Sequence, residues 1–321
     1  MASPKYSVVI PVYNRPEELR ELLESLTLQL FMDFEVLVVE DGSTKRSESV
    51  YEEYSKRLRI QYFTKPNTGP GPSRNFGFEH AAGQYFVVFD SDCTLPPEYF
   101  AIVDRYLSIH QLEAWGGPDR GHETFSSLQQ AMAYTMSSVL TTGGIRGGKN
   151  QADTFQPRSF NMGVSRKVWE TTGGFQFDRL AEDIEWSIRI RKAGFKIGLI
   201  ADAFVYHKRR TELSQFFRQV EGFGRGRVRV GKAHPGEVKP AHWFPTFVLL
   251  GFLALPIILI LFRDLGIIGY TVLFFYWAAI AIDCYQQTKS VATSLLSVPA
   301  AMVQFFGYGW GFLSETFLKQ H

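Results

Sequence analysis

Between residues 6 and 89, short β-prone apolar runs alternate with helical stripes. Strands are expected at residues 6–12, 34–39, 60–63 and 85–89, each closed by a polar or glycine-bearing turn. Leu19, Leu22, Leu23, Leu26 and Leu30 recur three and four apart behind Pro16, which suits the first turn of a helix. Further helices are expected over about residues 47–57 and from the 67–77 loop to Ala82. This regular alternation predicts an α/β domain, a mostly parallel sheet with helices on both faces.

The run Tyr85-Phe86-Val87-Val88-Phe89 has no polar break and reads as a strand buried on both faces. Carboxylates are costly in such a core. Asp90-Ser91-Asp92 is therefore expected just past the carboxyl end of the strand, where open α/β sheets bind ligands. Two acids there suit a hard divalent cation and, through it, a diphosphate. Alone, Asp-Ser-Asp is an ordinary turn. Tyr13-Asn14 and Glu40-Asp41 also follow strands, however, and parallel strands bring all three loops to one crevice. Asp41 suits a hydrogen bond to a base or ribose. No Gly-x-Gly-x-x-Gly follows the first strand. In Gly69-Pro70-Gly71-Pro72 the prolines lack the N–H groups of a phosphate cradle, and no Gly-Lys-Ser/Thr ending follows. A dinucleotide dehydrogenase and a P-loop kinase are both disfavoured.

Farther on, a strand and turn are expected at residues 114–118, a helix at 125–140, a strand at 160–165 and a turn at Gly173-Gly174. The glycine-rich residues 141–149 read either as a loop that closes over a ligand or as a plain connection. Glu182-Asp183 precedes Ile184, Trp186, Ile188 and Ile190, with Gly194 as the stop, so the acids fall in the first turn of a helix. Acids there complement the helix dipole for about 0.3–1 kcal/mol, or one of them removes a proton from a hydroxyl. Residues 203–207 read as a strand ending in His207, and a lone histidine there is usually structural or solvated.

Val9-Ile10-Pro11-Val12-Tyr13-Asn14-Arg15, Val39-Glu40-Asp41-Gly42-Ser43, the 67–77 loop, Asp90-Ser91-Asp92 and Ala181-Glu182-Asp183 stand in the order and rough spacing of family 2 glycosyltransferases. Over residues 5–210 the chain resembles that family, which implies a GT-A fold. The resemblance puts Pro11, Tyr13 and Asp41 around nucleobase and ribose and brings Arg74 to the nucleotide. It places Asp90, with Ser91 beside it, at ribose or metal. Asp92 becomes the main ligand for Mg²⁺ or Mn²⁺, completed by His207. Asp183 becomes the base, with Glu182 near acceptor or diphosphate. The 160–165 strand resembles the one bordering the donor sugar. Two departures stand out. Pro70 and Pro72 replace the usual alanines, and Gln219-Val220-Glu221-Gly222-Phe223 lacks the Arg-Trp of processive synthases, which argues for single-sugar transfer.

Composition adds the compartment. The 321 residues carry a formal net charge of only +2, which does not suggest a nucleic-acid binder. Basic residues crowd the stretch 207–239, where Arg225 and Arg227 would meet a diphosphate or anionic headgroups, or simply flank a membrane anchor. Apolar segments at 244–262 and 265–282 are long enough to span, joined by a turn at Arg263-Asp264 and ended by Asp283. The weaker segment 291–313 spans or lies in the interface. Two distant cysteines fit a reducing compartment. Residues 1–5 lead straight into a strand without an apolar leader.

The expected organisation is a catalytic domain over 1–210, a basic amphipathic juxtamembrane segment over 211–243 and a membrane domain over 244–321. The expected protein is a multi-pass inner-membrane glycosyltransferase with its catalytic domain in the cytoplasm. It would be inverting and metal-dependent, moving a sugar from a nucleotide-diphosphate donor, a UDP-sugar in the first place. The acceptor would be a hydroxyl, lipid-linked acceptors included, in cell-envelope glycan assembly. Two rivals remain: a non-catalytic membrane scaffold with a GT-A fold, and a sugar nucleotidyltransferase. The latter usually carries a glycine-rich basic loop near its first strand, absent here.

Overall fold

A computed structural model describes residues 3–120, 125–142 and 155–318. The glycines at 143, 144, 147 and 148, expected in a closing or connecting loop, lie outside the described residues. The chain forms two compact units, Met1–His122 with Asn150–Lys208, and Glu123–Lys149 with Arg209–His321.

The first unit opens with β1 (Tyr6–Val12), α1 (Pro16–Thr27), β2 (Phe34–Asp41), α2 (Glu48–Tyr54), β3 (Ile60–Lys65), α3 (Pro70–His80) and β4 (Tyr85–Phe89). There follow β5 (Cys93–Thr94), α4 (Tyr99–His110), β6 (Ala114–Gly116) and β7 (Asp119–Arg120). The chain then enters the second unit with α5 (Ser127–Ser137) and α6 (Val139–Thr142). It returns as β8 (Asn161–Ser165), α7 (Arg166–Thr172), α8 (Glu182–Lys192), β9 (Ile197–Leu199) and β10 (Val205–His207). The main sheet runs β3-β2-β1-β4-β8-β6-β9, parallel except that β8 is antiparallel to both of its neighbours. A small sheet runs β5-β10-β7.

Alternation along the buried strands divides the core between two faces. Val8, Ile10, Val36, Val38, Val87 and Phe89 pack on one face with Leu19, Leu22, Leu23 and Leu26 of α1. Val9, Leu37, Phe86 and Val88 pack on the other with Phe78 and Trp186. Each of these leucines contributes about 1.5–3 kcal/mol by leaving water. Leu30 does not belong to this stripe. α1 ends at Thr27, and Leu30 is exposed.

In the second unit, α9 (Leu213–Ala233), α10 (Phe244–Leu261), α11 (Arg263–Thr288) and α12 (Val291–Leu313) join α5 and α6. Helix α5 thus belongs to the second unit, whereas the expected catalytic domain over 1–210 includes it. Three helical stretches among the described residues, Pro240–Leu261, Arg263–Thr288 and Val291–Phe317, are long and apolar enough to cross a membrane.

Three expectations change here. Residues 216–227, whose sequence reads as a helix that breaks at Gly222, Gly224 and Gly226, lie instead within α9, which runs unbroken for 21 residues. A Cβ on Gly224 would stand 2.2 Å from the Tyr308 carbonyl oxygen, and one on Gly311 would stand 2.1 Å from that of Glu221. These two glycines let α9 and α12 touch backbone to backbone, and that packing offsets their poor helix propensity. Arg263-Asp264 is not a turn: it opens α11, and Phe262 alone (φ −139°, ψ 73°) makes the bend. α11 also continues past Asp283 to Thr288. The Asp283 carboxylate accepts hydrogen bonds from Tyr134 at 2.6 Å and Ser138 at 3.2 Å, both from the α5 region, and from Gln287 at 3.0 Å.

Candidate functional site

The parallel register of β1, β2 and β4 sets their following loops along one edge of the sheet. Asn14, in a left-handed conformation (φ 56°), joins two of these loops. Its Oδ1 accepts from Thr44 N at 2.9 Å and Lys45 N at 2.9 Å, and its own N–H donates to Ser43 Oγ at 2.8 Å. Arg15 joins the third by donating from Nη1 to Asp92 Oδ2. The three loops are thus tied together by side chains.

Asp41 ends β2 opposite Lys65, which ends β3. Lys65 Nζ donates to Asp41 Oδ1 at 2.6 Å, Thr68 N to the same oxygen at 2.9 Å and Gly69 N to Oδ2 at 2.9 Å. Burial would raise the Asp41 carboxyl, but these donors hold it below the usual carboxylate range. Its carboxylate shapes the loop into α3. Pro11 is half-buried in β1, and Tyr13 is 50% exposed. Gly71 N donates to Asp178 O at 2.9 Å, so this N–H also serves the chain itself.

The resemblance brought Arg74 to the nucleotide. In the structure its side chain is 2% exposed. Nη2 donates to Asp90 Oδ1 at 2.7 Å and Nη1 to Glu182 Oε1 at 2.7 Å, with the Phe175 ring 5.2 Å away. Arg74 is an internal strut between the end of β4 and the start of α8. Burial pushes the Glu182 carboxyl up to about 7 against the pull of Arg74, and the adjacent Asp183 adds to the rise. Asp183 lies in the first turn of α8, behind Ala181 in a left-handed conformation (φ 59°). Its Oδ1 accepts from Ile184 N at 2.7 Å and its Oδ2 from Ser159 N at 3.3 Å, with Arg158 Nη1 3.9 Å from Oδ2.

Ser91 and Asp92 are buried behind Asp90. Burial would raise the Asp92 carboxyl, yet His207 and Arg15 hold it well below the usual range. Its Oδ1 is buried, has no hydrogen-bond partner among the described residues, and lies 3.2 Å from His207 Nε2. β10 pairs with β5, placing His207 opposite Cys93, and the Phe160 ring flanks the imidazole at 5.1 Å. Asp92, Cys93 and His207 are the cluster among the described residues whose ligand atoms lie within 4.8 Å of one another. An orphaned carboxylate oxygen facing an imidazole nitrogen fits a divalent cation. Arg225 and Arg227 belong to α9 in the second unit, where Arg225 Nε donates to Glu315 Oε2 at 3.1 Å.

Residues 7–113 match Glycosyl transferase family 2, and residues 85–285, more than half of the chain, match Glycosyl transferase family group 2. The chain belongs to this glycosyltransferase family. An uncharacterized glycosyltransferase of Rickettsia felis is 43% identical to this family member over 88 residues, 27% of this chain and 15% of that one. The chain thus spans only a small part of the rickettsial relatives' length. The glycosyltransferase AglE of Haloferax volcanii is 24% identical over 270 residues, 79% of this chain and 83% of that one. Among solved structures, the mannosyltransferase PcManGT of Pyrobaculum calidifontis matches with a TM-score of 0.61 at 17% identity, covering 100% of this chain and 89% of that one. That likeness confirms the GT-A fold.

Sequence reasoning about this family member missed Arg15, Lys65, Arg158 and Ser159. Lys65 had a readable signal: it closes a strand parallel to the one that Asp41 closes. The other three are recognisable only once the loops have met.

Proposed function

We propose that this chain is an inverting, metal-dependent glycosyltransferase that moves one sugar from a nucleotide-diphosphate donor to a hydroxyl acceptor. The observation that carries the reading is the Asp90–Arg74–Glu182 bridge. It joins the acids after β4 to the helix that bears Asp183, which supports a donor end and a base end facing one crevice. Asp41 shapes the loop that would hold base and ribose, with Pro11 and Tyr13 beside it, and Asp90 and Ser91 line the donor side. Asp92 and His207 would hold Mg²⁺ or Mn²⁺. When bound, such an ion supplies positive charge to the leaving diphosphate. Asp183 takes the proton of the acceptor hydroxyl, whose oxygen attacks the anomeric carbon opposite the leaving group and inverts it. Ser159 N and Arg158 hold Asp183 for that step.

Two proteins of similar fold support the donor class. PcManGT is solved in complex with GDP-Man and Mn²⁺, and the Staphylococcus aureus TarS fragment, at a TM-score of 0.50, in complex with UDP-GlcNAc. The three apolar helices support a multi-pass membrane protein and a lipid-linked acceptor in cell-envelope glycan assembly. The basic side chains preceding the first span support a cytoplasmic catalytic domain in the inner membrane. The missing Arg-Trp at 222–223 supports single transfer.

The test uses purified chain in detergent with a panel of UDP-, GDP- and dTDP-sugars, in Mn²⁺ or EDTA. Metal-dependent binding or turnover of one donor is expected. Folded protein that binds none of them would overturn the reading.

A further inference from the structure

The Asp92–His207 pair has a third neighbour that the proposed reaction does not use. Cys93 is fully buried, and its thiol makes a weak contact with Phe160 O at 3.6 Å. It stands directly opposite His207 in the antiparallel β5–β10 pair, so the two side chains share a face. Asp92 Oδ1 and His207 Nε2 are 3.2 Å apart. Two ligand atoms each about 2.0–2.1 Å from a tetrahedral ion lie roughly 3.3 Å apart. The sulfur, one imidazole nitrogen and one carboxylate oxygen of the three residues lie within 4.8 Å of one another. From that outer limit a shift of at most roughly 1 Å gives a Zn–S distance of about 2.3 Å, leaving the fourth position for water or a phosphate oxygen.

We propose that Asp92, His207 and Cys93 form a site for thiophilic divalent cations, Zn²⁺ or Cd²⁺, and that occupation by them excludes the ion used with the donor. The proposal rests on the reading of Asp92 and His207 as metal ligands. Hard Mg²⁺ and Mn²⁺ take oxygen and imidazole and leave the sulfur aside, whereas a thiolate favours Zn²⁺ and Cd²⁺. On binding, the thiol proton passes to the buffer and a metal–sulfur bond forms, with no change of oxidation state.

The test uses the full chain in detergent carrying Cys284→Ala, which removes the only other cysteine. Free Mn²⁺ is followed by its electron paramagnetic resonance, and Cd²⁺ by the ultraviolet thiolate-to-metal charge-transfer absorption. The absorption is expected with Cys93 present and absent after Cys93→Ser. Zn²⁺ should displace Mn²⁺ at a concentration at least tenfold lower with Cys93 than after Cys93→Ser. A chain that binds Mn²⁺ but gives no thiolate absorption with Cd²⁺, or whose Zn²⁺ competition ignores Cys93→Ser, overturns the proposal and leaves the transferase reading standing. A folded chain that binds no Mn²⁺ overturns the metal reading beneath both.

Discussion

Arg74 donates to Glu182 at 2.7 Å across 108 residues of sequence, while its other terminal nitrogen reaches Asp90 at 2.7 Å. One buried guanidinium thus holds the end of β4 and the start of α8 in register. Removing a member of a buried ion pair strands the other charge and costs about 3–5 kcal/mol. Arg74→Met is expected to lose stability on that scale in denaturant unfolding. Arg74→Lys supplies one charge without the fork, so it should keep more stability and still lose kcat at least tenfold with donor KM less affected. Arg74→Lys kinetics equal to wild type would remove the strut from the mechanism.

Glu182 makes this bridge sensitive to pH. Its carboxyl is raised to about 7 by burial, above the ordinary value of 4.5. The folded chain therefore holds a proton there that the unfolded chain releases at lower pH. The stability tied to that proton is fully present below about 4.5 and is lost as pH rises through about 7. Glu182→Gln does not titrate. Between pH 5 and pH 8 the wild-type Tm should fall relative to that of Glu182→Gln; two curves that run parallel would count against the shift.

Much of this arrangement is legible in the sequence, for a definable reason. Unbroken apolar runs must be buried on both faces, so the acids at 41, 90 and 92 had to emerge at strand ends. The α9 helix was misread because glycine propensity is local, whereas the backbone of Tyr308 that Gly224 meets is supplied 84 residues later. That Arg74 also bridges Asp90 to Glu182 depends on α8, which no motif spacing reveals. Asp283 read as a helix end because its hydroxyl partners, Tyr134 and Ser138, come from a distant segment.

Asp183 is assigned proton removal from the acceptor. Asp183→Asn preserves its shape and removes its basicity, so transfer should fall by about 10²–10⁴-fold. Donor binding, measured calorimetrically, should stay within a fewfold. Loss of donor binding in folded protein would contradict the assignment, as would retention of full transfer.

Asp92 is assigned to the cation. Asp92→Ala should weaken Mn²⁺-dependent donor binding by more than tenfold, and EDTA should reproduce that effect in the wild type. Donor binding that ignores both the substitution and the chelator would make Asp92 a partner of Arg15 and His207 alone.

The contact between α9 and α12 offers a test independent of chemistry. A methyl group on Gly224 would meet Tyr308 O at 2.2 Å and Phe312 N at 2.8 Å, both backbone atoms that cannot rotate away. The helices would have to separate, loosening Phe216 and Val220 from Ala300 in the same cluster. Overpacking of this kind costs about 1–3 kcal/mol, against a gain in helix propensity of about 1 kcal/mol from glycine to alanine. Gly251 on α10 has nothing within 4 Å of the same position, so there only the propensity gain remains. In detergent, Gly224→Ala should lower the unfolding temperature, while Gly251→Ala should leave it unchanged or raise it slightly. Equal effects at the two positions would mean that α9 and α12 do not meet backbone to backbone.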